Sequence, residues 1–244
     1  MKISEHRIAL ITGASRDLGR SQALKLAEQG IHLIITYKEN EQQANELVRE
    51  VEALGSRAVA LQLDVADSKS FDAFTVRVQT ALAAAWQRER LDYLVNNAGI
   101  GLMAPFSATT EEQFDLLFNI HLKGPFFLTQ KLLSLIKDGG RIINISSGLT
   151  RFTFPGYAAY AVMKGGVEIM TRYMAKELGS RGITVNTIAP WAIETDFGGG
   201  MARDNAQVNA HLSSLTTLGR VGRPDDVGGA VAALLAEGNN WVTA

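Results

Sequence analysis

The chain is expected to fold as a doubly wound α/β domain, a parallel β-sheet with helices on both faces, spanning residues 1–244 as a single domain. Three observations predict this. Short β-branched runs alternate with helix-length stretches, the pattern of strands joined by crossover helices. The runs are apolar almost throughout, as strands covered on both faces are. Polar or glycine-containing segments follow the strands, at the edge where such sheets bind ligands.

In chain order, residues 7–12 read as the first strand and 18–29 as a helix stopped by Gly30. Residues 31–36 are a second strand, and 39–54 a polar-faced helix stopped by Gly55. A third strand covers 58–63 and a long helix 68–88. The fourth strand is 91–95, followed by a helix over 111–137 interrupted near Gly124-Pro125. The fifth strand is 141–145, and a helix spans 157–178 with Gly179 near its end. The sixth strand is 183–188, and the last helix 224–236. Residues 197–209 are the least regular stretch, opening on Phe197-Gly198-Gly199-Gly200. A mobile lid and an ordinary surface loop both fit that composition.

Composition excludes several classes. A net charge of −1 leaves no electrostatic footprint for nucleic acid or an anionic membrane. The absence of cysteine removes disulfides, thiolate nucleophiles and cysteine-based zinc sites. Four scattered histidines contain no His-x-x-x-His pair, so no metal site is expected. No apolar run is long enough to span a bilayer. The opening Met-Lys-Ile-Ser-Glu-His-Arg does not read as a secretory leader. A cytoplasmic protein acting on a small molecule is expected.

The first strand runs into Thr12-Gly13-Ala14-Ser15-Arg16-Asp17-Leu18-Gly19. A glycine turn entering a helix brings backbone N–H groups and the positive helix end toward a pyrophosphate. Gly13 permits the tight turn, and Gly19 close packing of helix on strand. Two glycines alone also fit a strand-to-helix turn with no ligand. At this point the chain resembles the short-chain dehydrogenase/reductase family, and its 3-oxoacyl reductases in particular. That family carries Thr-Gly-x-x-x-Gly-x-Gly on a Rossmann fold. Asp17 stands where the middle glycine is expected. Aspartate adopts the left-handed conformation better than most side chains, so the turn can survive. A carboxylate beside phosphates is unfavourable unless it points away or pairs with Arg16 or Arg20.

NAD sites usually place an acid at the end of the second strand, where it binds the ribose 2′-hydroxyl. Here the strand ends Thr36-Tyr37-Lys38, without an acid at 36 or 37. Lys38 and Arg16 favour the 2′-phosphate of NADP(H), with NAD(H) as the weaker fit. A merely solvated Lys38 remains the alternative, and Glu39 lies close by. Asp64-Val65 follows the third strand, where the resemblance implies contact with adenine. Asn96-Asn97-Ala98-Gly99 follows the fourth. Asn96, Ala98 and Gly99 match the family segment that supports the sheet and lines the cofactor ribose. With Gly13, Ser15, Arg16, Leu18, Gly19 and Lys38, these are the expected cofactor contacts.

Tyr160 and Lys164 lie four apart on one helix face. A phenol has a pKa of about 10 in water, and a nearby ammonium lowers it. Such a tyrosine can give a proton to a developing alkoxide or take one from an alcohol. Alone, the pair also fits a packed tyrosine beside a snorkelling lysine. Its companions favour chemistry. Ser147 precedes Tyr160 by thirteen residues, the separation typical of the family, and can hold the substrate oxygen. Asn119 matches the family's helix asparagine, which by resemblance holds a water linking Lys164 to solvent. A hydrolase reading fails because Ser147 lacks a Gly-x-Ser-x-Gly elbow and an evident His/Asp pattern.

After the sixth strand, Pro190, Ile193 and Thr195 by resemblance face the nicotinamide, and Trp191 replaces the family's glycine. The indole can narrow the pocket or turn into packing. Candidate pocket walls are Ser147, Phe154, Tyr157, Trp191 and Phe197, with Met103 and Phe152 near by. They suit a ketone, aldehyde or secondary alcohol with a hydrophobic part. The resemblance further implies a homodimer or homotetramer built on helices 111–137 and 157–178. It also implies a final edge strand and glycine-rich tail that this sequence, ending at Ala244, does not contain. A non-catalytic dinucleotide-binding protein is the second class, supported by Asp17 and Trp191.

Overall fold

Strand β1 (Ile8–Ile11) shows why the strands are apolar at every position. Successive side chains point to opposite faces. Ile8 and Leu10 enter one hydrophobic cluster, Ala9 and Ile11 the other, and all four are fully buried. The computed structural model describes residues 6–244 and continues the sheet with β2 (His32–Tyr37), β3 (Ala58–Gln62), β4 (Leu91–Asn96), β5 (Ile136–Ile145) and β6 (Thr184–Ile188). All pairs are parallel, in the order β3-β2-β1-β4-β5-β6. The order reverses between β1 and β4, so a ligand crevice is expected beyond their C-terminal ends.

The helices are α1 (Asp17–Ala27), α2 (Glu41–Ala53), α3 (Phe71–Trp86), α4 (Glu111–Phe118) and α5 (Gly124–Leu132). They continue as α6 (Ala158–Leu178), α7 (Met201–Asp204), α8 (Ala206–Ser214) and α9 (Pro224–Leu235). Leu26, Leu47 and Val231 bring α1, α2 and α9 onto one face of the sheet. Phe74, Leu128 and Ala175 bring α3, α5 and α6 onto the other. The doubly wound Rossmann architecture is therefore as expected. A buried polar seam crosses it. The Asn96 amide donates to Thr129 Oγ1 at 3.0 Å and to Asn144 Oδ1 at 2.8 Å. The Asn144 amide donates to Thr171 Oγ1, and Thr187 reaches the same hydroxyl, both at 2.8 Å.

Three segments refine the sequence reading. The helix expected to Lys137 ends earlier, in a 3-10 turn at Leu133–Leu135, and β5 begins at Ile136. Ile136 pairs with Leu91 and is fully buried; a short apolar run cannot be assigned to helix or strand by periodicity alone. The interruption near Gly124 is a π-helical turn at Asn119–Lys123. Residues 197–209 are not irregular but mostly helical: a 3-10 turn at Phe197–Gly200, then α7 and α8. The missed signal was Asn205, whose side chain caps α8 by accepting from Gln207 and Val208 N–H.

Residues 242–244 lie along β6, with Ala244 N–H donating to Val185 O at 3.1 Å. Among the described residues no helix is long and apolar enough to cross a membrane. The reading of the N-terminus as lacking a leader falls largely on residues 1–5, outside those described.

Candidate active site

The strand-end segments meet at the β1/β4 crevice. Thr12 Oγ1 accepts from the backbone N–H of Asn97 and Ala98, each at 3.0 Å. The Asn97 amide returns bonds to Thr12 O and Gly13 O at 2.9 and 3.1 Å. Gly13 N–H donates to Thr36 Oγ1 at 3.1 Å, so β2 holds the same turn. Gly13 has φ +63°, and a Cβ there would stand 2.9 Å from Ala98 Cα. A Cβ on Gly19 would collide with Gly13 O and Ala14 Cα. Both glycines are thus required by close backbone approach. Ser15 on the loop and Leu18 in the first turn of α1 remain partly exposed. The turn, its tight backbone and the α1 N-terminus suit a dinucleotide's pyrophosphate.

Asp17 keeps the turn by adopting φ +50°. Its Oδ1 accepts from Asp196 N–H at 3.2 Å, and Arg16 Nε stands 3.8 Å from its other oxygen. Arg16 is the pairing cation, while Arg20 is engaged by Glu50. Burial pushes the Asp17 carboxyl above its usual value, against the bond from Asp196 N–H. Arg16 Nη1 also lies 3.4 Å from Asp196, so its contacts are with these two acids rather than at the end of β2. Lys38 stands at that end, 3.1 Å from Asp64. The two residues expected at the adenosine end therefore meet directly. Val65 packs into the core, and the Asn96 side chain is spent on the polar seam.

The catalytic candidates converge. Ser147 follows β5, and Tyr160 and Lys164 face it from α6; all three are buried. Ser146 turns away, its hydroxyl lying 3.2 Å from Lys164 O and 3.0 Å from the Glu168 carboxylate. Lys164 Nζ donates to Ile145 O at 2.7 Å and lies 5.7 Å from the Tyr160 ring centroid. Burial pulls Lys164 from 10.5 down to about 7. Burial also pushes the Tyr160 phenol above its usual value, and the Ser147 hydroxyl pulls the other way. This runs against the expectation that Lys164 lowers Tyr160: burial is the largest influence on the phenol, and Lys164 is not among the groups that shift it. Asn119 opens the π-helical turn, a feature frequent at functional sites.

Sequence reasoning missed His121. It is buried, 2.9 Å from Ile100 O through Nε2, with Nδ1 unpartnered. Its ring meets Tyr160 edge-on at 5.1 Å. Burial, then Lys164, hold the imidazole neutral. A histidine two positions after Asn119, in a broken helix, was the available signal. Gly99 backs onto it, leaving no room for a Cβ.

The pocket walls divide into two groups. Phe197 stacks on Tyr157 at 6.1 Å and meets Tyr160 edge-on at 5.2 Å, with Phe154 behind Tyr157. Trp191 instead packs against Phe152 at 5.2 Å and over Gly148, the residue after Ser147. Pro190 O accepts from Gly148 N–H at 2.7 Å, holding the loop to the serine. Ile193 pairs with Gly222 as an isolated bridge, and buried Thr195 accepts from Phe197 N–H at 3.2 Å.

The family model for enoyl-(acyl carrier protein) reductase matches residues 13–244. A hydroxynaphthalene reductase-like protein, Arp2 of Metarhizium brunneum, is 35% identical over 97% of this chain and 90% of its own. The promiscuous reductase LugOII, which catalyses keto-reduction at C1 in lugdunomycin biosynthesis, superposes with a TM-score of 0.92. It is 35% identical, covering 97% of this chain and 93% of its own. The landomycin C-6 ketoreductase LanV, solved with NADP and rabelomycin, gives 0.88 at 36% identity, covering 97% and 91%.

Proposed function

The chain belongs to the short-chain dehydrogenase/reductase family, and from that premise we propose that it interconverts a carbonyl compound and its alcohol using NADP(H). The single observation that carries this reading is the buried meeting of Ser147, Tyr160 and Lys164 at the end of β5. The bound nicotinamide supplies or accepts the hydride. Gly13, Gly19 and the α1 N-terminus would hold its pyrophosphate, Lys38 its 2′-phosphate, and Pro190, Ile193 and Thr195 its nicotinamide end.

The rest falls to the chain's own side chains. Ser147 donates to the carbonyl oxygen and orients it. Tyr160 gives its phenolic proton to the same oxygen as charge develops there, or removes it in the reverse direction. A Lys164 pKa of about 7 lets its amine change protonation near neutral pH. Asn119 supports the water through which that proton is exchanged. Tyr157 and Phe197 offer flat aromatic walls, which favour an aryl ketone.

Exposed Phe114, Phe118, Phe126, Phe127, Ile169 and Tyr173 on α4–α6 support a homodimer or homotetramer formed through these helices.

The test is NADPH and NADH oxidation with aryl and aliphatic ketones, by the parent and by Tyr160→Phe. Turnover by the parent that falls at least ~1000-fold in the variant supports the reading. A parent that binds NADPH yet reduces no ketone favours the non-catalytic class, for which Asp17 is the specific argument.

A further inference from the structure

Asp17 does more than tolerate a glycine's conformation. We propose that its carboxylate is an internal anion which ties the glycine turn to the 196–214 segment and weakens cofactor binding by competing with the dinucleotide's phosphates. This rests on the dinucleotide reading above.

The positive end of a helix and its free N–H groups attract an anion. Asp17, in the first turn of α1, provides one from the chain itself. Its Oδ1 accepts from Asp196 N–H, 179 residues away on the opposite side of the crevice. Arg16 spans the same gap, 3.8 Å from Asp17 and 3.4 Å from Asp196. Arg203 adds a 2.7 Å contact to Asp196 and another to Asp204. Three carboxylates thus share two guanidiniums.

The tie is made just before Gly198, Gly199 and Gly200, with φ of +61°, +74° and +75°. Those glycines lead into α7 and α8, so the tie restrains the base of that helical pair. A phosphate entering the turn meets the Asp17 charge and draws on the same cation, Arg16. Cofactor entry therefore exchanges an internal anion for an external one. With glycine at this position the competitor and the bond to Asp196 N–H would not exist, and only Arg16 would span the gap.

Two variants separate charge from tie. Asp17→Asn removes the charge but keeps an oxygen that can accept from Asp196 N–H, and asparagine tolerates a positive φ. Asp17→Gly removes the charge and the bond to Asp196 N–H, leaving the gap to Arg16 alone. NADPH affinity, read by nicotinamide fluorescence without substrate, is expected to rise about tenfold in both, the scale of one charge beside a helix end. Trypsin cleavage at Arg203 in the cofactor-free protein should quicken in Asp17→Gly and change little in Asp17→Asn. Equal or weaker NADPH binding in both variants overturns the competition, and unchanged cleavage in Asp17→Gly overturns the tie. If none of the three proteins binds NADPH or NADH, the cofactor reading itself falls and takes this inference with it.

Discussion

Replacing Lys164 with methionine should stabilise the protein while ending its turnover. The amine is fully buried, and its pKa falls from 10.5 to about 7. Between those values the unfolded chain binds a proton that the folded chain does not. Stability is therefore lost as pH falls from about 10.5 to about 7, and the loss is complete below that. Each pH unit between the two values is worth about 1.4 kcal/mol, so the cost at pH 7 is on the order of 4 kcal/mol. Methionine removes that cost but also the 2.7 Å bond to Ile145 O. Leaving that carbonyl without the bond costs about 1–2 kcal/mol. The net gain at pH 7 is about 2–3 kcal/mol, or roughly 5–10 °C in Tm for a chain of this size. Urea unfolding of parent and variant, at one protein concentration and from pH 6.5 to 10, measures it. The variant's advantage should shrink as pH rises and reverse near pH 10. A difference that stays flat, or a parent that is the more stable at pH 7, would refute the reasoning.

Lys38→Glu should lower the NADPH-to-NADH ratio of kcat/KM by about tenfold or more, because it replaces the cation at the end of β2 with an acid; parallel kinetics with both cofactors decide this. Phe197→Ala should raise KM for aryl ketones by about tenfold and leave small aliphatic ketones nearly unchanged, since it removes the ring stacked on Tyr157. Ile169→Arg places a charge on the apolar face of α6, where Ile169 is 49% exposed. Light scattering should then show the assembly shifted toward monomer, with the circular dichroism spectrum unchanged.

The strands and most helices were legible because burial on both faces writes itself as continuous apolar runs. The Ser147, Tyr160 and Lys164 positions were legible because helix spacing and strand ends are properties of local sequence. Other features depend on contacts between distant segments. Asp17 meets Asp196 only in the fold, so the sequence showed a misplaced charge without its partner. The direction of the Tyr160 shift follows from burial, and no spacing rule counts buried atoms. Trp191 reads as either pocket or packing until Gly148 and Phe152 are seen beneath and beside it. The Leu132–Ile136 run was ambiguous because one apolar residue serves helix and strand equally well.

The buried amide and hydroxyl seam through Asn96, Asn144 and Thr171 has an engineering meaning. It fastens β4, β5, β6 and α6 through a continuous chain of side-chain hydrogen bonds. Ser147 ends one of these fastened elements, and Tyr160 and Lys164 ride on another. The spacing of the reacting groups is therefore set by the interior, like a jig, and not by the rim. Residues 190–214 touch that jig mainly through Gly148, Tyr157 and Tyr160. The part of that rim beyond Thr195, residues 197–214, can accordingly be treated as an exchangeable cassette. Segments grafted there from other reductases should redirect substrate choice while the proton-handling trio keeps its alignment.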